Sequence, residues 1–228
     1  MKNLSNQHKG SLLAFIAVML ITPDSIFIRL SNIETWGMLF YRGAIPFVVV
    51  LIGLVFFYKN NLLKALLSMG YPGIFYVISF SICNITFLIS IQNTNVANTL
   101  VMIAMAPMLS AILGSIFLKE VPDQKTWIAI IITLISVTYI FYDSIEMGNF
   151  YGDLFGIITA FGLACNAVIA RFAKDRDLVP SAVIGKLCVA IFAFLFVDSF
   201  SLVGTDLIIV PLMCVMCVAI PFVLVTIA

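Results

Sequence analysis

The chain has 228 residues, of which 63% are hydrophobic and 10% charged, and its 12 basic residues nearly balance its 11 acidic residues. Soluble domains are about 45 to 50% apolar, so this composition excludes an ordinary soluble domain. The net charge of +1 lacks the basic excess of a nucleic-acid-binding protein. All 5 cysteines fall inside apolar runs, which favours packing roles over a secreted disulfide framework.

Runs of mainly apolar residues predict eight membrane-spanning helices, because about twenty apolar residues in a helix cross the bilayer core. We therefore expect an all-α fold, a polytopic transmembrane helix bundle. The first run is long enough to span and lacks a small-residue cleavage site, so we expect a retained helix rather than a signal peptide. The predicted spans are Ser11–Leu30, Thr35–Phe57, Tyr71–Ile91, Asn98–Leu118, Trp127–Tyr142, Leu154–Phe172, Ser181–Val197 and Leu207–Ala228.

The basic residues are concentrated in alternate connectors, on the side that the N-terminus shares. On the opposite side the only basic residue is Arg29, and the acidic residues Asp143, Glu146, Asp198 and Asp206 are found there. The positive-inside rule therefore predicts a multi-pass protein of the cell inner membrane with a cytoplasmic N-terminus. The basic residues of the cytoplasmic side are Lys2, Lys9, Lys59, Lys64, Lys119, Lys125, Arg171, Lys174 and Arg176.

A weak internal repeat relates the two parts of the chain. One offset aligns Asp24 with Asn166 and Gly43 with Gly185. Five spans separate the starts of the two copies, and because this number is odd, the second copy crosses the membrane in the opposite direction. Inverted repeats are typical of secondary transporters, whose substrate site lies near the membrane midplane between the two copies.

A family resemblance is strongest in the fourth span. Thr94–Pro122 reads TNVANTLVMIAMAPMLSAILGSIFLKEVP, with a polar start, a mid-helix proline, a stripe of small residues and the ending FLKE. With Arg42 in FYRGAI early in the second span, this sequence resembles the EamA-type carriers of the drug/metabolite transporter superfamily. The resemblance implies ten helices in two inverted five-helix repeats, so residues 1–146 form the first repeat and residues 147–228 a partial second repeat. Eight of the expected ten helices are then present, as in a fragment.

Two opposite charges lie at equal depth in the first two spans. Asp24 and Arg42 each lie about six residues from the outer end of their helix, roughly 9 Å below the outer surface. One interpretation is a structural ion pair that lets both helices insert, for which Arg29 is a competing partner. The other is that Asp24 binds a proton or a cationic substrate group during transport.

In the second repeat, Lys186 takes the place of Arg42, and Asn166, an amide, takes the place of Asp24. Lys186 lies about 10 Å from the cytoplasmic start of its helix, and Asn166 lies at similar depth in the preceding helix. Lys186 either extends to the cytoplasmic interface, or faces a cavity and meets a carboxylate or phosphate of the substrate. Desolvation of its amine would instead allow a role in proton coupling.

Other polar and breaking residues supply further candidates. Pro23 and Pro107 lack a backbone donor, so each permits a kink and is a hinge candidate. Tyr76, Asn84 and Asn98 are candidate substrate contacts, although bonds between neighbouring helices explain them equally well. Stripes of small residues predict packing faces on the fourth and sixth spans. These are Ala106, Ser110 and Gly114, and Gly152, Gly156, Ala160 and Ala164.

Enzymatic chemistry is not expected. The only histidine is His8 in the N-terminal tail, and Asp24 is the only carboxylate well inside a predicted span, so neither a metallopeptidase cluster nor an acid pair is available. A channel is less favoured because no filter motif is present. We expect no cofactor and no metal.

The sequence therefore predicts a secondary membrane transporter of small organic metabolites, working by alternating access, with export as the direction that the resemblance implies. The alternative is a non-transporting integral membrane protein, or a truncated remnant of such a carrier. The expected partners are the lipid bilayer and a small-molecule substrate, and no nucleic acid. A proton as coupling ion and a homodimer are both left open.

Overall fold

The computed structural model describes residues 6–59, 65, 68–120, 122–146 and 150–227. Lys2 and Lys64, which contribute to the predicted orientation, lie outside them, as do the side chains of His8, Lys9, Asp143 and Glu146. Within the described ranges all regular secondary structure is helical. The helices are α1 (Asn6–Ile21), α2 (Asp24–Leu30), α3 (Thr35–Tyr58), α4 (Gly70–Asn93), α5 (Val96–Ile103), α6 (Ala106–Phe117), α7 (Gln124–Glu146), α8 (Phe150–Phe172), α9 (Val179–Phe194), α10 (Asp206–Met213), the π-helix π1 (Cys214–Ala219) and α11 (Ile220–Ile227).

The all-α membrane fold predicted from sequence is confirmed. Among the described residues, 6 helical segments are long and apolar enough to cross a membrane, and 2 shorter apolar helices accompany them. In chain order these eight coincide with the eight predicted spans. The long segments are Gly10–Leu30, Thr35–Phe56, Gly70–Asn93, Val96–Phe117, Phe150–Phe172 and Asp206–Leu224, and the shorter helices are Gln124–Tyr139 and Val179–Phe194.

Two predicted spans are each divided into two helices at their proline. The first ends at Ile21 and resumes at Asp24, because Pro23 has no backbone N–H to donate into the preceding turn. The fourth ends at Ile103, four residues before Pro107, whose ring crowds the carbonyl at that position. Each run still forms one spanning segment, Gly10–Leu30 and Val96–Phe117, and the helical pattern is interrupted at the proline within it.

Three helix boundaries in α7 and α8 also differ from the prediction. α7 begins at Gln124 and ends at Glu146, and α8 begins at Phe150 rather than at Leu154. Their polar flanking residues continue the helix, although the apolar pattern that predicts a span has already ended. Asp123 precedes α7 and accepts hydrogen bonds from the side chain and backbone N–H of Thr126, which lower the pKa of this exposed carboxyl.

The last span contains a π-helix that the sequence pattern does not predict. π1 lies between α10 and α11 and is flanked by Pro211 and Pro221. Each proline withholds one backbone donor, so the intervening turns lose part of the i to i−4 ladder and the segment widens to i to i−5 bonding. π-helical turns occur frequently at functional sites in helices.

The helices form two compact units. Unit 1 comprises Met1–Lys64 and Lys186–Ala228, and unit 2 comprises Ala65–Gly185. In unit 1, α1 packs against α11, and α3 packs against π1. Gly43 in α3 lies close to α9, because an added Cβ there would lie 2.6 Å from the backbone nitrogen of Ala190. Glycine is therefore needed here for helix contact rather than for backbone freedom.

In unit 2, α8 packs along α4, α5 and α6. Its small-residue face makes these contacts: an added Cβ on Gly152 would lie 2.6 Å from the backbone nitrogen of Thr94, and one on Gly156 would lie 3.0 Å from Met102 Cβ. Ala160 and Ala164 on the same helix are also buried. The predicted packing face of the sixth span is therefore confirmed, and close van der Waals contact is what associates helices in lipid.

Candidate functional site

A buried ion pair joins the first two spans in unit 1. Asp24 begins α2, directly after the Pro23 break, and Arg42 lies two turns into α3. The guanidinium nitrogens Nη1 and Nη2 of Arg42 donate to Oδ1 and Oδ2 of Asp24, at 2.5 and 3.0 Å. Only 8% of the Arg42 side chain and 6% of the Asp24 side chain are exposed. This two-pronged geometry is the strongest form of arginine–carboxylate pairing.

The surroundings of the pair come from the last span and from α9. Met213 lies at the end of α10, and its Sδ is 3.9 Å from Arg42 Nη1. Cys214, the first residue of π1, and Lys186 on α9 are also buried in unit 1. We refer to Asp24, Arg42, Lys186 and Cys214 as the charged centre. All four residues lie in unit 1 and are buried or nearly so.

The structure thus brings Asp24 and Arg42 together as equal depth predicts. Arg29, the competing partner, lies exposed near the end of α2, and the ion pair forms with Arg42. Both carboxylate oxygens of Asp24 are occupied by guanidinium donors of Arg42. The geometry therefore favours the structural interpretation of Asp24 over the proton-carrying one.

Lys186 and Asn166 lie in different units. That they mirror Arg42 and Asp24 in an inverted repeat therefore stays a prediction. Lys186 is 7% exposed, which counts against an amine that extends to the interface and favours one that faces the protein interior. Asn166 is also 7% exposed, and within the described part of the chain its Oδ1 accepts no hydrogen bond.

The remaining predicted contact residues lie in unit 2. Tyr76 and Asn84 are half-buried on α4, where the Tyr76 ring stacks on Phe80 at 5.8 Å between centroids and Asn84 donates to the Phe80 carbonyl at 2.7 Å. Asn98 is half-buried on α5. Tyr76, Phe80 and Asn84 follow each other at four-residue spacing, so they share one face of α4.

Residues 8–142, more than half of the chain, match the EamA-like transporter family. The chain belongs to this family. No curated protein and no solved structure gave a match in the corresponding comparisons. The matched region includes Asp24, Arg42 and Thr94–Pro122, and it confirms the resemblance to the EamA-type carriers of the drug/metabolite transporter superfamily. EamA-like proteins are membrane transporters rather than enzymes.

Three further polar residues of this EamA-like chain are not among the predicted site residues. Arg171 bonds Glu120 at 2.7 Å and Ser110 Oγ at 2.5 Å, between the ends of α6 and α8 in unit 2. Asp206 and Asp153 each lie in the first turn of a membrane-spanning helix and are buried. In the sequence, Asp153 directly precedes the predicted span Leu154–Phe172. Because α8 begins earlier, at Phe150, Asp153 lies inside the helix.

The described residues contain no group of three or more His, Cys, Asp or Glu side chains that could hold a metal ion. Cys214 and Cys217 are both free thiols within π1. What the charged centre offers chemically is a buried guanidinium, ammonium and carboxylate, which are groups that bind and orient a polar molecule.

Proposed function

We propose that this EamA-like chain is a secondary transporter of small organic metabolites in the cell inner membrane, which exports them by alternating access. The observation that carries the proposal is the charged centre. Asp24, Arg42 and Lys186 are buried inside apolar helices of a chain whose family consists of transporters. Ionisable side chains inside membrane helices are costly to insert and mark substrate or ion pathways.

The proposed substrate carries a carboxylate or a phosphate. Both guanidinium prongs of Arg42 bond Asp24, and Lys186 is a second buried cation of unit 1. An ammonium group presents three rotatable donors to an anionic group and can release it again without breaking a fixed two-pronged pair. Lys186 is thus the proposed substrate contact, and the Asp24–Arg42 pair holds the helices around it.

We propose that the two inverted repeats, residues 1–146 and 147–228, move relative to each other during alternating access. The aligned glycines support this repeat, because both lie at close helix contacts. Gly43 approaches the backbone of α9, and an added Cβ on Gly185 would lie 2.8 Å from Phe80 of α4. The breaks at Pro23 and Pro107 supply the proposed hinges, since short helices joined by a turn can reorient separately.

Replacement of Lys186 tests the substrate contact. In cells that make the protein, we expect efflux of a radiolabelled carboxylated or phosphorylated metabolite, and Lys186→Met should raise KM about 10- to 100-fold, the usual worth of a hydrogen bond to a charged group. Lys186→Arg should retain part of the affinity. The matched control is Lys174→Met, which removes an exposed lysine that follows α8.

The efflux panel also separates the transporter from its alternative. Neutral, cationic and anionic metabolites are compared at equal amounts of membrane-inserted protein. No difference in retained solute for any of them would support a non-transporting membrane protein. An unchanged KM in Lys186→Met would overturn the assignment of this lysine while leaving transport intact.

Reporter fusions test the proposed inner-membrane orientation. A reporter fused after Lys64 should be active in the cytoplasm, and one fused after Asp198 should be active outside, because the basic connectors stay on the cytoplasmic side. A fusion after Lys174 provides a second cytoplasmic position. Periplasmic activity after Lys64 together with cytoplasmic activity after Asp198 would reverse the orientation.

A further inference from the structure

The carboxylate of Asp153 stands apart from the other buried acids. The residue is 0% exposed, and within the described part of the chain neither of its carboxylate oxygens accepts a hydrogen bond. The other buried acids have partners: Asp24 pairs with Arg42, and Asp206 accepts a hydrogen bond from the backbone N–H of Asn32 at 3.4 Å. Asp153 is thus a deeply buried acid whose charge no described side chain balances.

The position of Asp153 is fixed by its two neighbouring glycines. Gly152 lies against the chain that leaves α4, and Gly156 lies against Ser90, whose Oγ would be 3.1 Å from an added Cβ. The first turn of α8 is therefore pressed against the end of α4 and the start of α5. This close packing closes off the carboxylate from solvent and lipid.

A second buried oxygen lies at the same end of unit 2. Gln92 is in the last turn of α4, one residue before the segment that Gly152 contacts. Its Oε1 is buried and accepts no hydrogen bond from any described residue. Two oxygens of Asp153, at the start of α8, and one of Gln92, at the end of α4, thus accept no hydrogen bond from a described donor.

The N-terminus of α8 alone does not balance this charge. A helix N-terminus is equivalent to about half a positive charge, and its effect is largest where backbone N–H groups donate to the anion. No N–H group of the described residues donates to the Asp153 carboxylate. A carboxylate removed from water needs a full counter-charge or a proton. We propose that Asp153 binds a monovalent cation, either a proton or Na⁺, with Gln92 Oε1 as a neighbouring oxygen ligand.

The chemistry of the ligands supports a single small cation. Carboxylate and amide oxygens are the ligands that hard cations prefer, and one carboxylate balances one positive charge. Carbonyls at the C-terminal ends of helices assist such ions in other transporters, and the end of α4 presents this kind of terminus to the first turn of α8. For a proton, Gln92 Oε1 would instead accept the hydrogen bond of the carboxylic acid.

The ionisable groups around this site are few. From α4 and α5 the residues at this end are Ser90, Gln92, Thr94, Thr99 and Met102, none of which titrates. The phenols of Tyr142 on α7 and Tyr151 on α8 are exposed, and the side chains of Asp143 and Glu146 on α7 lie outside the described residues. Among these described groups, Asp153 is the buried one that can carry a charge.

Binding of the cation does not require transport. Its use as a coupling ion does rest on the proposed transporter function, in which the predicted orientation places Asp153 at the outer end of its span. A cation from outside would then occupy Asp153 while substrate leaves. Stability and chemical labelling test binding alone, so they remain informative if the efflux panel shows no transport.

The first experiment measures the melting temperature of the purified full chain in lipid nanodiscs. It varies Na⁺ against choline at constant ionic strength and, separately, pH without Na⁺. At a concentration 100 times Kd, the cation should raise the melting temperature of the wild type by about 5 to 10 °C relative to Asp153→Asn. The matched control Asp206→Asn, which changes a buried acid that has a described partner, should retain the full shift.

The second experiment uses the wild-type chain, so it remains decisive if Asp153→Asn fails to fold. A hydrophobic carbodiimide adds to a protonated carboxyl to form an acylisourea, and mass spectrometry maps the modified residue. If Asp153 binds a proton, its labelling should fall about tenfold per pH unit above the midpoint of the pH titration, and added Na⁺ should not change it. For bound Na⁺, added Na⁺ should protect Asp153 and also raise the melting temperature.

The outcomes separate cleanly. Either pattern at Asp153 supports the cation site and identifies the ion. Absence of labelling at every pH, together with a melting temperature that responds to Na⁺ and pH equally in the wild type and in Asp153→Asn, would overturn it. Labelling that is insensitive to both pH and Na⁺ would overturn it as well, because it would show an acid that exchanges with neither ion.

Discussion

Replacing Asp24 with asparagine is expected to lower the free energy of unfolding by about 3 to 5 kcal/mol, because it leaves the buried guanidinium of Arg42 without its counter-charge. Arg42→Gln should cost a similar amount, since it leaves the carboxylate unbalanced. Both side chains are less than 10% exposed, so solvent cannot replace the missing partner. Thermal unfolding in detergent, followed by size-exclusion chromatography, measures the loss together with the amount of folded protein.

An exposed ion pair of the same chain provides the matched control. Glu120 and Arg171 lie 2.7 Å apart, but 51% and 42% of their side chains are exposed. Glu120→Gln should therefore change the free energy of unfolding by about 1 kcal/mol or less. The exchanged pair, Asp24→Arg with Arg42→Asp, should recover part of the loss caused by either single change. Wild-type stability in both Asp24→Asn and Arg42→Gln would contradict a structural ion pair.

The same variants distinguish the structural interpretation of Asp24 from the proton-carrying one. A proton-carrying Asp24 predicts that Asp24→Asn folds normally and loses the pH dependence of transport. The two-pronged contact with Arg42 predicts the reverse, a loss of folded protein. If both single variants fold and transport normally, neither interpretation of Asp24 holds.

Replacing Gly43 with alanine is expected to cost about 1 to 3 kcal/mol, the usual penalty of overpacking a close contact. The added Cβ would lie 2.6 Å from Ala190 N, 2.8 Å from Lys186 O and 2.9 Å from Ala190 Cα. All three are backbone atoms, so the clash is relieved only if α3 and α9 move apart. Gly43→Leu should cost more, and its displacement of Lys186 should also weaken transport.

Gly53 is the matched control on the same helix. An added Cβ at Gly53 has no neighbour within 4 Å, so Gly53→Ala should leave stability unchanged or raise it by up to about 1 kcal/mol through helix propensity. The two variants differ only in position along α3, and the melting temperature of each is measured under one set of conditions. Equal changes in melting temperature at Gly43 and Gly53 would show that helix propensity, rather than helix contact, determines the effect of the substitution.

The breaks at Pro23 and Pro107 were predictable because proline acts locally: it lacks one donor and crowds the preceding turn wherever it occurs in a helix. π1 was not predicted although Pro211 and Pro221 flank it. The two missing backbone N–H groups are compatible with several local conformations. The π-helix is the one observed, and π1 packs against α3 and α10. The same reasoning explains why the helix ends shifted at α7 and α8, where polar residues continue a helix that the apolar pattern had ended.

The candidate site was predictable in part. Equal depth made Asp24 and Arg42 available to each other, since depth follows from residue count and helical rise alone. Their two-pronged contact, and the choice of Arg42 over Arg29, depend on the rotation of α2 and α3 about their axes. Asp153 was missed because its burial arises from the contact of Gly152 and Gly156 with a distant part of the chain.

The sequence by itself determined the membrane fold, the order of the spans, the family, and the entry of Asp24, Arg42 and Lys186 into the apolar region. These properties depend on run length, composition and local backbone chemistry, which each segment carries alone. Only the tertiary structure decided which charges are balanced. It paired Asp24 with Arg42, and it buried Asp153, whose carboxylate oxygens accept no hydrogen bond from a described residue. Whether a buried charge has a partner depends on contacts between helices, so the sequence of a single helix does not predict it.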